Sequence, residues 1–324
     1  MDDPALSAEA IAKLNADWGL PVGEIFTQPD WTAAKQAAVT TLAANTFAAA
    51  KIVRSEAAID PERLSGDLTV EIDSGPPFRF GKLAIAGLAK YPESLVRNFN
   101  TIEPGSPYSQ DEIDRLVRRL IASGYFASVQ AAIDRETDLP DAATIDVAVI
   151  EGPTRHIEGG FSYSTDVQFG ANARYRDVNV NGKGMQMYID GRVESKIQSG
   201  SLRFVLPPND AHWIGTASGG AERTDIENLI TRTAFAGTRW RTVDEHDGLA
   251  ASATFFLDDQ QPLGADTTSA HALYGELERY WRRVDNLVAP TQGQIVALQF
   301  GAGIPGASTR GFGRAIARYS AWVP

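Results

Sequence analysis

The stretch VAVIEGPTRHIEGG, at residues 147–160, decides the fold because the sequence pattern changes character across it. It resembles an earlier stretch, VEIDSGPPFRFG at residues 70–81, in which an alternating pattern also leads through an acidic residue to Gly-Pro. After the first stretch, the chain starts another unit of strand and helix. After the second, the helical period does not recur and a period of two takes over. The pair predicts a repeated small domain followed by an all-β domain.

The two stretches close two copies of one unit. Equivalent positions lie 82, 79 and 77 residues apart in three pairs, which are Gln28 with Gln110, Phe47 with Phe126, and Gly75-Pro76 with Gly152-Pro153. A spacing near 80 that shrinks by a few residues is typical of a repeated domain with insertions in its loops. We therefore predict domains at residues 1–76, 77–154 and 155–324.

The second copy reads as β-α-α-β-β. Its strands are predicted at residues 82–86, 127–133 and 144–150, and its helices at 92–99 and 111–123. The first copy has no opening strand and begins inside its first helix, near residues 8–14. We therefore expect this sequence to be a piece of a longer protein.

Two helix starts carry capping signals. Thr27 followed by Asp30 resembles an N-cap, and Ser109 with Glu112 forms the S-x-x-E pattern of a capping box. Apolar residues then follow the second start at helical spacing, namely Ile113, Leu116, Val117, Leu120 and Ile121. This spacing predicts an amphipathic helix that buries one face.

After residue 155 apolar and polar residues alternate. Ile189 and Val193 alternate with Tyr188, Asp190 and Arg192, and the pattern recurs in about ten strands of about 9–15 residues. Charged residues assigned to the polar inner side are Arg174, Arg176, Arg192, Glu194, Arg203, Glu276, Glu278, Arg279, Arg283 and Arg318. The simplest role for these charges is to solvate an inner wall. A more specific role is to hold a substrate loop or a plug.

Alternation alone fits both a soluble sandwich and a membrane barrel. Three features favour the barrel: the strand length, glycine within strands, and aromatic residues near strand ends. The aromatic residues are Tyr163, Trp213, Trp240, Tyr280, Trp281, Tyr319 and Trp322. The fold class predicted is α+β followed by all-β, with a partial antiparallel barrel.

Composition excludes several kinds of function. The net charge of −11 and the lack of a basic stripe argue against a nucleic-acid partner. The chain has no cysteine, and its four histidines are not at metal-ligand spacing. The G-x-G-x-x-G at residues 301–306 precedes another strand, whereas a dinucleotide site needs a helix there. We predict no cofactor, no metal and no enzymatic activity.

Four motifs resemble one family. Gly124-Tyr125-Phe126, closed by a strand and Glu151-Gly152-Pro153, resembles a POTRA domain, and residues 75–88 resemble a junction between two POTRA domains. Residues 157–184 resemble the first barrel hairpin of the BamA/TamA superfamily. Residues 282–293 resemble a strand–turn–strand of that superfamily, carried by Arg283, Asp285, Asn286, Pro290 and Gly293. The chain most resembles TamA-like members of the superfamily.

The resemblance implies a non-enzymatic assembly factor in the outer membrane, with POTRA domains in the periplasm and a signal peptide expected upstream of residue 1. Its expected partners are a TamB-like inner-membrane-anchored protein that spans the periplasm, unfolded outer-membrane proteins such as autotransporters, and outer-membrane lipid. The family carries three POTRA domains and about sixteen strands, so parts of both are absent from this sequence.

The resemblance also gives the first barrel strand, at about residues 157–166, a role in closing the barrel. Ile157, Gly159, Gly160, Phe161 and Tyr163 lie in it, and glycine weakens strand pairing. We expect this strand to form one side of a lateral gate. Two alternatives stay open: a two-partner-secretion transporter that translocates polypeptides, and a soluble periplasmic binding module with a β-sandwich.

Overall fold

The structure, a computed structural model, describes residues 8–165, 168–285 and 289–323. The first part contains α1 Ala8–Ala16, α2 Gln28–Ala43, β1 Lys51–Asp60 and β2 Ser65–Asp73. The second contains β3 Phe80–Ala86, α3 Glu93–Phe99, α4 Gln110–Ala122, β4 Phe126–Ile133 and β5 Ala143–Glu151. Ten strands follow: β6 Arg155–Ser164, β7 Gln168–Asp177, β8 Gln186–Glu194, β9 Ile197–Val205, β10 Trp213–Ile226, β11 Leu229–Thr242, β12 Asp247–Pro262, β13 Thr268–Val284, β14 Gly293–Gly303 and β15 Gly313–Trp322.

The chain divides into two compact units. One comprises Met1–Gly87, Ile102–Ser123 and Ser128–Ile150, and the other comprises Leu88–Thr101, Gly124–Ala127 and Glu151–Pro324. The second unit thus holds α3 and the Tyr125 segment together with the long sheet. The boundaries at residues 76 and 154 stay a prediction.

The second repeat has the predicted order β-α-α-β-β, with each element within a few residues of its predicted place. Its three strands form a sheet in the order β3-β5-β4. The first strand runs parallel to the last, with Leu83 opposite Ile145 and Ile85 opposite Val147. A parallel pair needs a crossover, which the two intervening helices supply.

Helix α4 buries the stripe that its sequence predicts. Ile113, Leu116 and Leu120 are buried, whereas Ile121 is about half exposed. The capping box is wrong in detail, because Ser109 takes the N-cap position but its side chain makes no capping hydrogen bond within the described chain. Glu112 instead pairs with Arg115, at 2.5 Å. By contrast, Thr27 does cap α2, by accepting from the backbone N–H of Asp30 at 3.2 Å.

The first repeat has a smaller core. Leu20, Trp31 and Ala34 are buried together, with Leu68 and Val70 of β2 only partly buried against them. Trp18 meets Trp31 edge to face, with ring centroids 6.1 Å apart. Strands β1 and β2 pair with each other in a two-stranded antiparallel sheet.

The remaining ten strands form one antiparallel sheet in sequence order, from β6 at one edge to β15 at the other. The longest strand, β13, has 17 residues. Within the described residues the sheet is not closed, since β6 pairs only with β7 and β15 only with β14. The observed order confirms the predicted fold class, including the number of strands.

Cross-strand register separates the sheet into two chemically different faces. On one face Asp190 lies opposite Arg174 and Ser201, and on the other Ile189 lies opposite Tyr175 and Leu202. The apolar face includes Phe161, which is 95 % exposed. Side chains of the polar face from β6 to β11 line one cleft of about 580 Å³, so we call this face the inner face and the apolar one the outer face.

Two of the ten charges assigned to the inner wall are on the wrong side. Glu276 and Glu278 lie on the inner face of β13, whereas Arg279 and Arg283 project from its outer face, since successive strand residues alternate. Both arginines lie toward the Val284 end of the strand. Among the described residues, no helix combines the length and the apolar character needed to cross a membrane.

Candidate functional site

The Gly124-Tyr125-Phe126 motif makes a specific contact with the turn between β7 and β8 of the long sheet. Gly124 follows α4 with a φ of +77°, a left-handed conformation that favours glycine at a helix end. Tyr125 is buried and its hydroxyl donates a 2.6 Å hydrogen bond to the carbonyl of Gly184. Burial raises the pKa of Tyr125, so the hydroxyl keeps its proton and remains a donor.

Aromatic rings surround this contact. Tyr91 packs edge to face on Tyr125 with centroids 5.2 Å apart, and Phe126 lies 6.1 Å from both Tyr91 and Tyr125. Burial, followed by the charge of Glu151, raises the pKa of Tyr91 to about 12. The cluster holds the segment 124–127 against the segment that begins α3.

Glu151, at the end of β5, anchors the loop before α3. One of its carboxylate oxygens accepts from the backbone N–H groups of Ala89, Lys90 and Tyr91 at 2.8, 2.7 and 3.2 Å. Burial alone would raise the pKa of Glu151, but these three donors outweigh it and the pKa is lowered. The acidic residue before Gly-Pro therefore acts as a fixed acceptor for three amides.

A second turn of the sheet contacts α3. The amide of Asn98 donates to the carbonyl of Pro208 at 2.9 Å and to Asp210 at 3.2 Å. The backbone carbonyl of Asn98 lies 2.9 Å from Nδ1 of His212, which has a φ of +60°. Two turns of the sheet, at residues 178–185 and 206–213, are thus tied to residues 91–101 and 124–127 by hydrogen bonds, of which that from Asn98 to Asp210 is exposed and the others are buried or partly buried.

The two Gly-Pro sites differ in conformation. Gly75 has a φ of +65° and its N–H donates to Asp73 at 3.0 Å, with Pro76 exposed after it. Gly152 is buried, keeps a φ outside the left-handed region and donates to the carbonyl of Tyr125 at 2.8 Å. Pro153 is exposed. The same Gly-Pro sequence therefore forms a turn at residues 75–76, whereas at residues 152–153 it follows a strand end that is hydrogen-bonded to Tyr125.

The strand predicted as a lateral gate is β6, at one edge of the sheet. Its predicted span reached Asp166, which lies outside the described residues. Ile157, Gly159, Phe161 and Tyr163 lie on the outer face, and Gly160 lies on the inner face beside Asn172. The edge of β6 away from β7 has no strand partner in the described chain.

Opposite charges connect neighbouring strands on the inner face. Arg174 contacts Asp190 at 2.6 Å and Glu158 at 3.5 Å, which joins β6, β7 and β8. Further along, Arg239 of β11 contacts Glu278 of β13 at 2.5 Å. Such a surface suits a wet interior lined by paired charges.

The predicted strand–turn–strand at residues 282–293 is centred on Asp285. Its carboxylate accepts from the backbone N–H groups of Thr291 and Gln292, both at 3.0 Å. Arg283 pairs with Asp247 at 2.7 Å, and Gly293 starts β14 with a φ of +114°. Pro290 is half-buried within the turn, and Asn286 lies outside the described residues. The part of the chain that the structure describes contains no cluster of three or more His, Asp or Glu side chains that could hold a metal.

The geometry defines a class first: a β-α-α-β-β domain followed by a ten-stranded antiparallel sheet with a charged and an apolar face. Residues 78–152 match the POTRA family model, described as surface antigen variable number repeat. These residues are therefore a POTRA domain, as the Gly124-Tyr125-Phe126 and Glu151-Gly152-Pro153 motifs predicted.

Two solved structures share the fold of the chain. BamA from Haemophilus ducreyi lacking POTRA domains 1–3 is 15 % identical with a TM-score of 0.66, covering 100 % of this chain and 66 % of its own. CdiB from Escherichia coli is 12 % identical with a TM-score of 0.50, covering 94 % of this chain and 58 % of its own. The chain thus spans less than two thirds of the length of each relative, and it has the fold of the corresponding part of BamA.

Sequence reasoning missed the residues that tie the two turns of the sheet to α3. Tyr125 and Glu151 were predicted only as members of the POTRA motifs, and Asn98 and His212 received no role. Glu151 carried a signal, because an acidic residue directly before Gly-Pro at a strand end is placed to accept backbone hydrogen bonds, although the sequence does not identify residues 89–91 as the donors. Asn98 and His212 carried none, since their contact spans 114 residues of sequence.

Proposed function

We propose that the protein is a TamA-like assembly factor of the outer membrane. It supports insertion or translocation of outer-membrane proteins such as autotransporters, with its POTRA domains in the periplasm. It works with a TamB-like inner-membrane-anchored partner and touches outer-membrane lipid through the outer face of its sheet.

One observation carries this proposal: a POTRA domain leads directly into a long sheet with an exposed apolar outer face and a charged inner face. A soluble protein rarely leaves an extended apolar face exposed. Lipid would cover it, and the paired charges would face a wet interior. The fold shared with BamA supports the same class of function.

Strand pairing is the proposed mechanism. The free edge of β6 presents unpaired N–H and C=O groups that an extended client strand can satisfy. Gly159 and Gly160 lie in this strand and lower its own pairing strength. In the complete protein β6 would pair with the last barrel strand, and opening that seam would admit a client strand.

Site-specific cross-linking tests the proposal. The chain has no native cysteine, so Gly159→Cys, Phe161→Cys and Tyr163→Cys each create a unique thiol. The full-length protein would be expressed in cells with an autotransporter that carries a single cysteine in its last strand. We expect disulfide adducts with the client at all three positions.

Thr238→Cys is the matched control, because it lies on the outer face of β11, which is paired on both sides. Equal adduct yields at Thr238 and on β6, or none on β6 in active protein, would contradict the proposal. Release of the client into the medium would instead favour a two-partner-secretion transporter.

A further inference from the structure

One arginine on the outer face of the long sheet differs from the others in its neighbours. By register, the described strands place five arginines on this face, and three of them pair with carboxylates: Arg155 with Asp177, Arg223 with Asp225, and Arg283 with Asp247. A fourth, Arg232, lies directly opposite Asp259. The fifth, Arg279, has Leu249 and Leu298 directly opposite it on the two neighbouring strands. Where the other four have a carboxylate, Arg279 therefore has two leucines.

The side chain of Arg279 runs toward the end of its strand. Its guanidinium carbon lies 5.3 Å from the ring centroid of Trp281, which is two residues nearer to the end of β13 at Val284. A long cationic side chain on a lipid-facing surface adopts this direction, because its stem stays in apolar surroundings while its charge reaches the interface. The cost of a cation on the outer face of a barrel also falls from the bilayer midplane toward the interface. In a membrane, this direction brings the charge of Arg279 closer to the lipid headgroups.

Aromatic and polar side chains next to Trp281 fit the same level of a membrane. Trp281 lies directly opposite Val296, and Val296 lies directly opposite Tyr319, so two aromatic side chains stand in one row of the outer face. The hydroxyl of Tyr319 donates to the side chain of Gln294 at 3.3 Å. Trp and Tyr are enriched where a membrane meets water, with the ring in apolar surroundings and the polar group at the headgroups.

The charges of this patch favour an anion. Asp247 lies directly opposite Trp281, but it is paired with Arg283 at 2.7 Å. Two arginines and one aspartate give the patch a local charge of +1, on a chain whose net charge is −11. A guanidinium can bind a phosphate through two parallel N–H donors while its planar face lies on an aromatic ring. Arg279 over Trp281 has this arrangement.

The patch lies at a defined edge of the sheet. Strand β6 begins at Arg155, shortly after the POTRA residues 78–152, and successive strands of the sheet are antiparallel. Strand β13 therefore ends, at Val284, at the edge where β6 begins. With the POTRA domains in the periplasm, this edge belongs to the periplasmic leaflet.

We infer that Arg279, Trp281 and Arg283 form a binding site for the phosphate of an anionic phospholipid in this leaflet. Arg279 binds the phosphate, Trp281 orients the guanidinium, and Arg283 neutralises the nearby carboxylate of Asp247. A zwitterionic lipid binds less well, because its ammonium group adds a positive charge to a patch that already has one. The inference rests on the proposed function, since it names the class of lipid that one part of the outer face selects.

Native mass spectrometry of the full 324-residue chain in detergent tests this site. The probes are phosphatidylglycerol and phosphatidylcholine with the same acyl chains, which share a phosphodiester and differ in the net charge of the headgroup. We expect phosphatidylglycerol to bind the native chain at least about fivefold more tightly than phosphatidylcholine, as one arginine near a membrane surface can provide. Arg279→Gln should lose this preference.

Arg223→Gln is the matched control. It removes the same charge from the same face, but at the opposite edge of the sheet, where Arg223 pairs with Asp225 at 2.9 Å. This variant should keep the preference for phosphatidylglycerol. Arg279→Lys keeps the charge without the planar group, so it should restore part of the preference that Arg279→Gln loses.

Equal affinities of the two lipids for the native chain, or equal losses in Arg279→Gln and Arg223→Gln, would overturn the inference. Competition by glycerol phosphate at concentrations similar to those of phosphatidylglycerol would assign the site to a free phosphate and would also overturn it. Adducts of neither lipid would contradict a lipid-facing outer surface as well, and with it the proposed function. Equal adducts of both lipids would leave the proposed function and the cross-linking test of β6 unaffected.

Discussion

At the scale of single residues, Tyr125 has two roles, and its local sequence indicates only one of them. Its place after Gly124 belongs to helix termination, yet its hydroxyl bonds to a carbonyl 59 residues further along the chain. The ring is also packed against Tyr91 and Phe126. The side chain therefore stabilises the turn between β7 and β8 as well as its own helix end.

Tyr125→Phe removes this hydroxyl and keeps the ring. It leaves the Gly184 carbonyl without its buried donor, which costs about 1–3 kcal/mol. For a unit of 150–250 residues each kcal/mol corresponds to about 2–4 °C in the thermal midpoint. We expect a lower midpoint in detergent by tryptophan fluorescence. Tyr163→Phe, which alters an exposed ring, should leave the midpoint unchanged, and equal shifts would contradict the role of Tyr125.

Glu151 makes stability depend on pH. Its pKa is lowered in the folded protein, so its contribution is fully present above the ordinary pKa of a glutamate and is lost as pH falls through the lowered value. Glu151→Gln keeps an acceptor oxygen but loses the charge that strengthens three hydrogen bonds. We expect the variant to have a lower thermal midpoint at pH 7.

The difference between the native chain and Glu151→Gln should shrink as pH falls from about 5 toward 3, because protonation removes the same charge. Thermal midpoints of both proteins across this range measure it. A difference that stays constant with pH would show that the carboxylate charge is not what anchors residues 89–91.

At the scale of elements, helix α4 is where pattern and structure agree most closely. The spacing of Ile113, Leu116 and Leu120 predicted the buried face, because burial follows the helical period whatever the helix packs on. The capping box did not form although its letters were present, since Glu112 is within reach of Arg115. A nearby ion pair can therefore replace the hydrogen bonds of a local capping motif. An apolar stripe has no such alternative, because water does not stabilise apolar side chains.

Leu116→Ala should destabilise the POTRA domain. Leu116 is 0 % exposed, and truncating a fully buried leucine costs about 2–5 kcal/mol. Limited proteolysis of the full chain, followed by mass spectrometry, should show faster cleavage within residues 78–152. Ile121→Ala is the control on the same helix, since Ile121 is 49 % exposed. Similar cleavage rates for the two variants would contradict the assigned core face.

Strand alternation was applied inconsistently along β13. Arg279 and Arg283 were assigned to the inner wall with Glu276 and Glu278, although even and odd positions face opposite sides. Arginines lie on both faces of β13 near its Val284 end, so charge alone does not identify the face there. The register with neighbouring strands does.

At the scale of the whole molecule, the decisive question is whether the outer face meets lipid. Leu277 lies mid-strand on that face, opposite Phe300, and Gln299 lies on the inner face next to Phe300. Leu277→Arg should impair folding into lipid vesicles, since a cation at the bilayer midplane costs about 2–4 kcal/mol in a barrel. Gln299→Arg should be tolerated.

Protease protection of the sheet in lipid vesicles measures both variants. Equal protection of Leu277→Arg and the native chain would contradict a membrane-facing outer surface and would favour a soluble sheet. Loss of protection in both variants would contradict the assignment of the inner face.

The sequence by itself determined the repeat, the order of elements in the POTRA domain and the ten-strand sheet, because these depend on local period: 3.6 residues in helices and two in strands. The described residues of the Gly-Pro, Gly124 and Asp285 motifs lie at turns and at the ends of helices and strands for the same reason. What only the tertiary structure decided are the contacts between distant segments: Tyr125 with Gly184, Glu151 with residues 89–91, and Asn98 with His212. Hydrogen bonds of this kind depend on where folding brings two polar groups, and no spacing in the sequence encodes that meeting.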